Sequence, residues 1–193
     1  MVNMKPQSRV LGIDDAPFHF GDETTEAVCA VVRIPSYIEG VIVGNVSVDG
    51  SDANDVIVKM LADSRYKEGL SLIFVDGVAL GGFNVVDIDL LHEDLEIPVV
   101  TVTRDPPDIP AMVQALKKKF KDWEWRAEVI QRKKLERIST RHKPVYVTCA
   151  GISLAEIREA MELSTVRGAL PEPIRVAHLI ATAIAKGESH GRA

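Results

Sequence analysis

Cysteine is scarce in this chain, two in 193 residues, and no Cys-x-x-Cys pair or Cys/His cluster occurs. That scarcity points away from a disulfide framework and a structural zinc site. It points instead to buried free thiols at Cys29, inside AVCAVVRI, and Cys149, at the end of PVYVTCA. No apolar run approaches the roughly 18 residues of a membrane span, and the opening MVNMKPQSRV lacks the apolar stretch of a signal peptide. The expectation is a soluble, cytoplasmic protein with no membrane partner. A nucleophile elbow, a P-loop and a dinucleotide fingerprint are also missing, so the corresponding hydrolase, NTPase and oxidoreductase readings fall away. There is no internal repeat and no low-complexity linker.

A hydrophobic content of 46% over 193 residues is enough for one sizeable core. One domain is expected over residues 1–193, frayed before residue 8 and after residue 186. The formal net charge of −5 hides an asymmetry. Residues 117–143 hold 11 Lys or Arg against 4 Asp or Glu, a local balance of +7 that leaves −12 on the rest. Both tryptophans, Trp123 and Trp125, lie in that segment beside Phe120. Basic and aromatic side chains together suit phosphate contact with base stacking, although a charge run is more often a solvated face. Read as a strand, Trp123-x-Trp125 puts both rings on one face, and at least one of them is expected in the core.

The chain begins as β and then alternates. RVLGID, EAVCAVVRI and IEGVIVGNVSV read as three Val/Ile-rich strands in an antiparallel meander. A helix follows in SDANDVIVKMLADSRYKEG, with Gly69 as its stop. SLIFVDG and IPVVTVTRDPP read as strands, and DIPAMVQALKKKF as a helix with Pro110 in its first turn. KPVYVTCAG is then a strand, ISLAEIREAMELSTVRG a helix capped by Ser153, and PEPIRVAHLIATAIAKG a largely apolar closing helix. Three strands, a helix, then alternation is the order of a ribonuclease-H-like α/β fold. There the first and fourth strands lie parallel at the sheet centre and their carboxyl ends meet.

Asp14 ends the first strand and Asp76 the fourth; Asp49, Asp52 and Asp55 follow the third. Converging carboxylates of this kind suit a hard cation, Mg²⁺ or Mn²⁺, which takes oxygen ligands and activates water at a phosphodiester. Asp15 need not share the role of Asp14, because neighbouring strand residues point to opposite faces. His178, in the apolar closing helix, reads as a hydrogen-bonded packing residue, and His19 as a surface residue. Gly81 and Gly82 either let backbone approach a base or make a turn.

Several of these segments resemble endonuclease V, the repair nuclease of deaminated bases. KPVYVTCAGISLAEI is similar to that family's strand, loop and helix, and LPEPIRVAHLI to its closing helix. GID and FVDG match its two metal-aspartate strands, and Tyr37, Ile38 and Gly40 of IPSYIEG match its wedge loop. An archaeal branch associated with deoxyuridine endonuclease activity is more similar still. The departures are specific. Glu39 stands where the wedge has proline, and Asp49 or Asp52 replaces a glutamate in a Phe-Arg-Glu motif. GVALGGFNVV replaces a loop with His, Pro and Arg, Arg104 replaces a lysine, and Ala150 and Gly151 occupy the place of a histidine.

The resemblance implies a metal-dependent endonuclease acting on nucleic acid with uracil or hypoxanthine, DNA in preference to RNA. Asp14, Asp76 and either Asp49 or Asp52 would hold the metal, and Arg104 would contact phosphate. Tyr37, Gly77, Gly81 and Gly82 would meet the nucleic acid. The alternative is a binding or interaction protein of the same fold without turnover, and a homodimer stays open beside a monomer.

Overall fold

The structure is a computed structural model that describes residues 4–19 and 21–190. The early strands are β1 (Arg9–Asp15), β2 (Thr24–Arg33) and β3 (Tyr37–Ser47), and they form the expected antiparallel meander. After α1 (Ala53–Ala62) comes β4 (Leu70–Asp76), which pairs parallel to β1 with Ile13 opposite Val75. A short hairpin, β5 (Ala79–Leu80) and β6 (Asn84–Val85), leads into α2 (Ile88–Leu95) and then β7 (Val99–Thr103). The chain closes through α3 (Ile109–Lys119), α4 (Trp123–Arg132), β8 (Glu136–Ile138), β9 (Val145–Ala150), α5 (Leu154–Ser164) and α6 (Glu172–Lys186). The main sheet has the order β3-β2-β1-β4-β7-β9-β8.

Strand periodicity sorts the core into two layers. Leu11 and Ile13 of β1 pack with Ile57 and Leu61 of α1 and Leu91 of α2 on one side. Val10, with Leu72 and Phe74 of β4, packs with Ile157 of α5 and Ile174 of α6 on the other. Gly12 lies between these residues, and a Cβ there would sit 2.1 Å from the Pro173 carbonyl carbon. Only glycine lets α6 press its backbone onto β1. Ser153 caps α5 in a full capping box with Glu156, as its sequence predicts.

Some expectations are corrected. The helix after the meander stops at Ala62, well before Gly69, because Asp63 and Ser64 already close its last turn through Lys59 and Leu61 carbonyls. Residues 88–95, unassigned from sequence, form α2, capped by the Asp87 side chain. Trp123 and Trp125 lie on a helix, not a strand, so residues two apart point to different sides. Trp123 packs against the cluster of Val85, Leu116 and Ile130, while Trp125 is exposed. Of the ends expected to fray, residues 1–3 and 191–193 lie outside the described residues, while Met4 is buried and the Gln7 N–H donates to the Ile34 carbonyl. Cys29 and Cys149 are free thiols, Cys29 buried and Cys149 half-buried. Among the described residues, no helix is long and apolar enough to cross a membrane.

Candidate metal centre

Parallel pairing of β1 with β4 sets Asp14 beside Asp76, each at the carboxyl end of its strand. Both lie near α6, whose His178 follows Ile174 by one helical turn. Asp14, Asp76 and His178 each offer one ligand atom, and these atoms lie within 4.8 Å of one another. Asp14 is buried and its Oδ2 is 2.8 Å from His178 Nδ1. Asp15 points the other way, its Oδ2 accepting the Gly81 N–H at 3.1 Å.

The electrostatics are strained in one direction. Burial, then the charge of Asp14, pushes the Asp76 carboxyl up to about 7, while Arg104 and His178 pull it down. Burial and Asp14 likewise push Asp15 up to about 6. Hydrogen bonding to Asp14 raises His178 against the opposing effect of burial. Crowded carboxylates destabilise one another in their charged forms, and a cation between them removes that cost. Two carboxylates and an imidazole fit such an ion: oxygens suit Mg²⁺, and the added nitrogen suits Mn²⁺ as well.

The other acids lie elsewhere. Asp49 is in the loop between β3 and α1, where Oδ1 accepts the Phe83 N–H at 3.0 Å and Oδ2 pairs with Lys119. Asp52 turns back to the Ser47 hydroxyl, 2.7 Å away, and to the Asn84 amide at 2.6 Å. Burial would raise its carboxyl, but the bonds from Ser47 and Asn84 outweigh burial and hold it below the ordinary range. The group around Asp14 and Asp76 is therefore completed by His178, not by Asp49 or Asp52. A sequence signal did exist: His178 is the single imidazole in α6, on the face that carries Ile174 down to β1.

Arg104 is exposed, just past the end of β7, and its charge is felt by Asp76. Gly77, Gly81 and Gly82 all have positive φ, at 75°, 54° and 86°, in the segment leaving β4. Tyr37 is 64% exposed, but it pairs with Arg33, which pairs with Arg9. Five residues of β1 separate that end from Asp14, roughly 16 Å along the strand. The structure does not bring Tyr37 to the carboxylates. His19 is a surface residue.

Much of the basic segment is internally compensated. Arg126 is buried and donates to the Gly50 carbonyl at 2.7 Å, to the Phe83 carbonyl and to Asp122. Arg132 pairs with Asp87 and Lys133 with Asp89. These cations hold α4 onto the hairpin and α2.

A mixed sheet with aspartates ending adjacent parallel strands and a closing helix across them defines a ribonuclease-H-like α/β protein. The same fold occurs in an endonuclease V of Ciona intestinalis, solved with a 24mer DNA containing an inosine, at 15% identity and a TM-score of 0.57. That match covers 88% of this chain and 82% of the other. An Archaeoglobus fulgidus crystal structure aligns with a TM-score of 0.82 and 34% identity over 91% of this chain and 97% of that one. The UPF0215 protein of Methanosarcina barkeri is 41% identical over 192 residues, 99% of this chain and 97% of its own length. The family model for endonuclease dU matches residues 6–185, and the chain belongs to that family.

Proposed function

We propose that this protein is a divalent-metal-dependent endonuclease that cleaves DNA at deaminated bases, deoxyuridine foremost. The observation that carries the reading is the juxtaposition of Asp14, Asp76 and His178 at the ends of two parallel strands. The name of its family supports the substrate class. Asp14, Asp76 and His178 would hold the cation, and the 2.8 Å contact of His178 with Asp14 orients that carboxylate. The ion, when bound, supplies an activated water and charge stabilisation at the phosphodiester. Arg104, at the rim of the site, positions a backbone phosphate; a guanidinium suits that task by its fork of donors. Gly77, Gly81 and Gly82 keep the adjoining backbone free of side chains where the strand passes.

Asp49 and Asp52 are both committed to other partners, which favours a second reading in which the fold binds nucleic acid without turnover. One assay separates the two. Oligonucleotides with uracil, hypoxanthine or normal bases, as DNA and as RNA, are incubated with Mg²⁺, Mn²⁺ or chelator. Metal-dependent cuts at deaminated positions in DNA are expected. Binding without cuts in every metal would leave the second reading, and cuts indifferent to the base would remove the substrate assignment.

A further inference from the structure

A cleft of about 430 Å³ opens where the loop after β1, the loop after β3 and the β5–β6 hairpin meet the end of α3, lined among others by Phe18, Asp49, Gly82, Phe83 and Lys119. Its volume falls within the range of small-ligand sites. Two hydrogen bonds tie it to Asp15, the residue that follows Asp14: Asp15 accepts from the Gly81 N–H, and the Gly81 carbonyl accepts from the Asp49 N–H at 2.7 Å. Gly82 keeps the cleft open. A Cβ there would lie 2.6 Å from Asp49 Oδ1 and 3.5 Å from the Phe18 ring. A side chain at this position would crowd Asp49 and Phe18 in the wall of the cleft.

We propose that this cleft receives the target base, and that Asp49 and Lys119 together recognise the lactam edge created by deamination. The assignment rests on the endonuclease reading above and names the residues that choose its substrate. Uracil and hypoxanthine present a ring N–H donor next to a carbonyl acceptor; cytosine and adenine present a ring nitrogen acceptor next to an amino donor. An ionised carboxylate only accepts and an ammonium only donates. The Phe83 N–H occupies Asp49 Oδ1, so Oδ2, paired with Lys119, is the oxygen that would accept from the base, on a short side chain anchored in the loop. That fixed acceptor matches the ring N–H. Lys119, on a long stem at the end of α3, gives up part of its pairing with Oδ2 and donates to the neighbouring carbonyl. Phe18 and Phe83 supply aromatic walls for the ring. Thymine and guanine carry the same edge, and the energy of pulling a well-paired base from its stack keeps them out.

The test compares binding in chelator with cleavage in Mg²⁺ for wild type and Asp49→Asn. Single-stranded oligodeoxyadenylates, which contain no competing thymine or guanine, carry one deoxyuridine, one N3-methyldeoxyuridine or one deoxycytidine. With Phe83 holding the amide oxygen, Asp49→Asn turns an NH₂ donor toward the ring nitrogen. Wild type should favour deoxyuridine over both other probes by roughly ten- to a hundredfold, the scale of one buried hydrogen bond. Asp49→Asn should lose or reverse that preference. The N3-methyl probe needs no variant, so the outcome does not depend on how well Asp49→Asn folds. Equal binding of N3-methyldeoxyuridine and deoxyuridine by wild type overturns the proposal. So does an unchanged preference in Asp49→Asn while wild type cleaves at uracil, and that result leaves the endonuclease reading intact. Absence of metal-dependent cleavage of any substrate overturns both.

Discussion

At one end of the central strands, Glu39 of β3 lies between two arginines, 2.6 Å from Arg9 and 3.0 Å from Arg33. The hydrogen bond from Arg9 leads in holding its carboxyl below the ordinary value. At the other end, Asp14 and Asp76 converge with Asp15 next to them along the chain, and burial with repulsion from Asp14 pushes Asp15 and Asp76 up instead. The same sheet thus carries acids in two opposite electrostatic conditions. Where charge is matched, the cluster serves the fold, clamping the β2–β3 turn onto the start of β1. Where it is unmatched, the fold pays a penalty that only a bound cation or a proton relieves, which is the usual mark of a working site.

Removing charge at each end should therefore have opposite consequences. The largest effect is expected from Asp14→Asn and Asp76→Asn, each of which should reduce metal-dependent cleavage by roughly 10²-fold or more. Circular dichroism should show both variants folded. Full activity in either would take that residue out of the mechanism.

Acidity should sharpen the contrast. Asp76 holds its proton in the folded protein up to about 7, whereas its ordinary value is 3.8. Between those values the folded state binds more protons than the unfolded chain, so stability falls as pH rises through the window. Asp76→Asn has no such loss. Thermal melts in chelator should show the melting temperature of Asp76→Asn gaining on wild type from pH 5 to pH 8, by about 2–4 °C for each kcal/mol involved. Saturating Mg²⁺ or Mn²⁺ should shrink that gain by stabilising wild type. A difference that stays flat with pH would mean the carboxylates are not crowded.

The smallest effect belongs to the matched end. Glu39→Gln leaves Arg9 and Arg33 facing each other without their shared acid, at a partly exposed site, and should cost about 1 kcal/mol in urea unfolding. Cleavage should remain at the wild-type level. A drop in cleavage would tie this end of the sheet to substrate handling, where Tyr37 lies.

The legible parts of this molecule were those that strand order dictates. Asp14 and Asp76 could be placed together because a meander, a crossover helix and a parallel return leave few other arrangements. Asp49 and Asp52 could not, because their directions depend on Phe83, Lys119, Ser47 and Asn84, which lie near them only after folding. His178 was missed because helical spacing tells which face a residue occupies, not which strand the face will cross. The glycine that lets α6 descend onto β1 lies 166 residues earlier, at Gly12. The two tryptophans were misread by applying a two-residue period to a segment with a 3.6-residue one.

The 2.8 Å bond between Asp14 and His178 joins positions 164 residues apart. A chain leaving the ribosome displays both aspartates while the imidazole is still unmade, and no nascent fragment ending before residue 178 contains the complete triad. A centre that joins the first strand to α6 stays incomplete until that helix has been made.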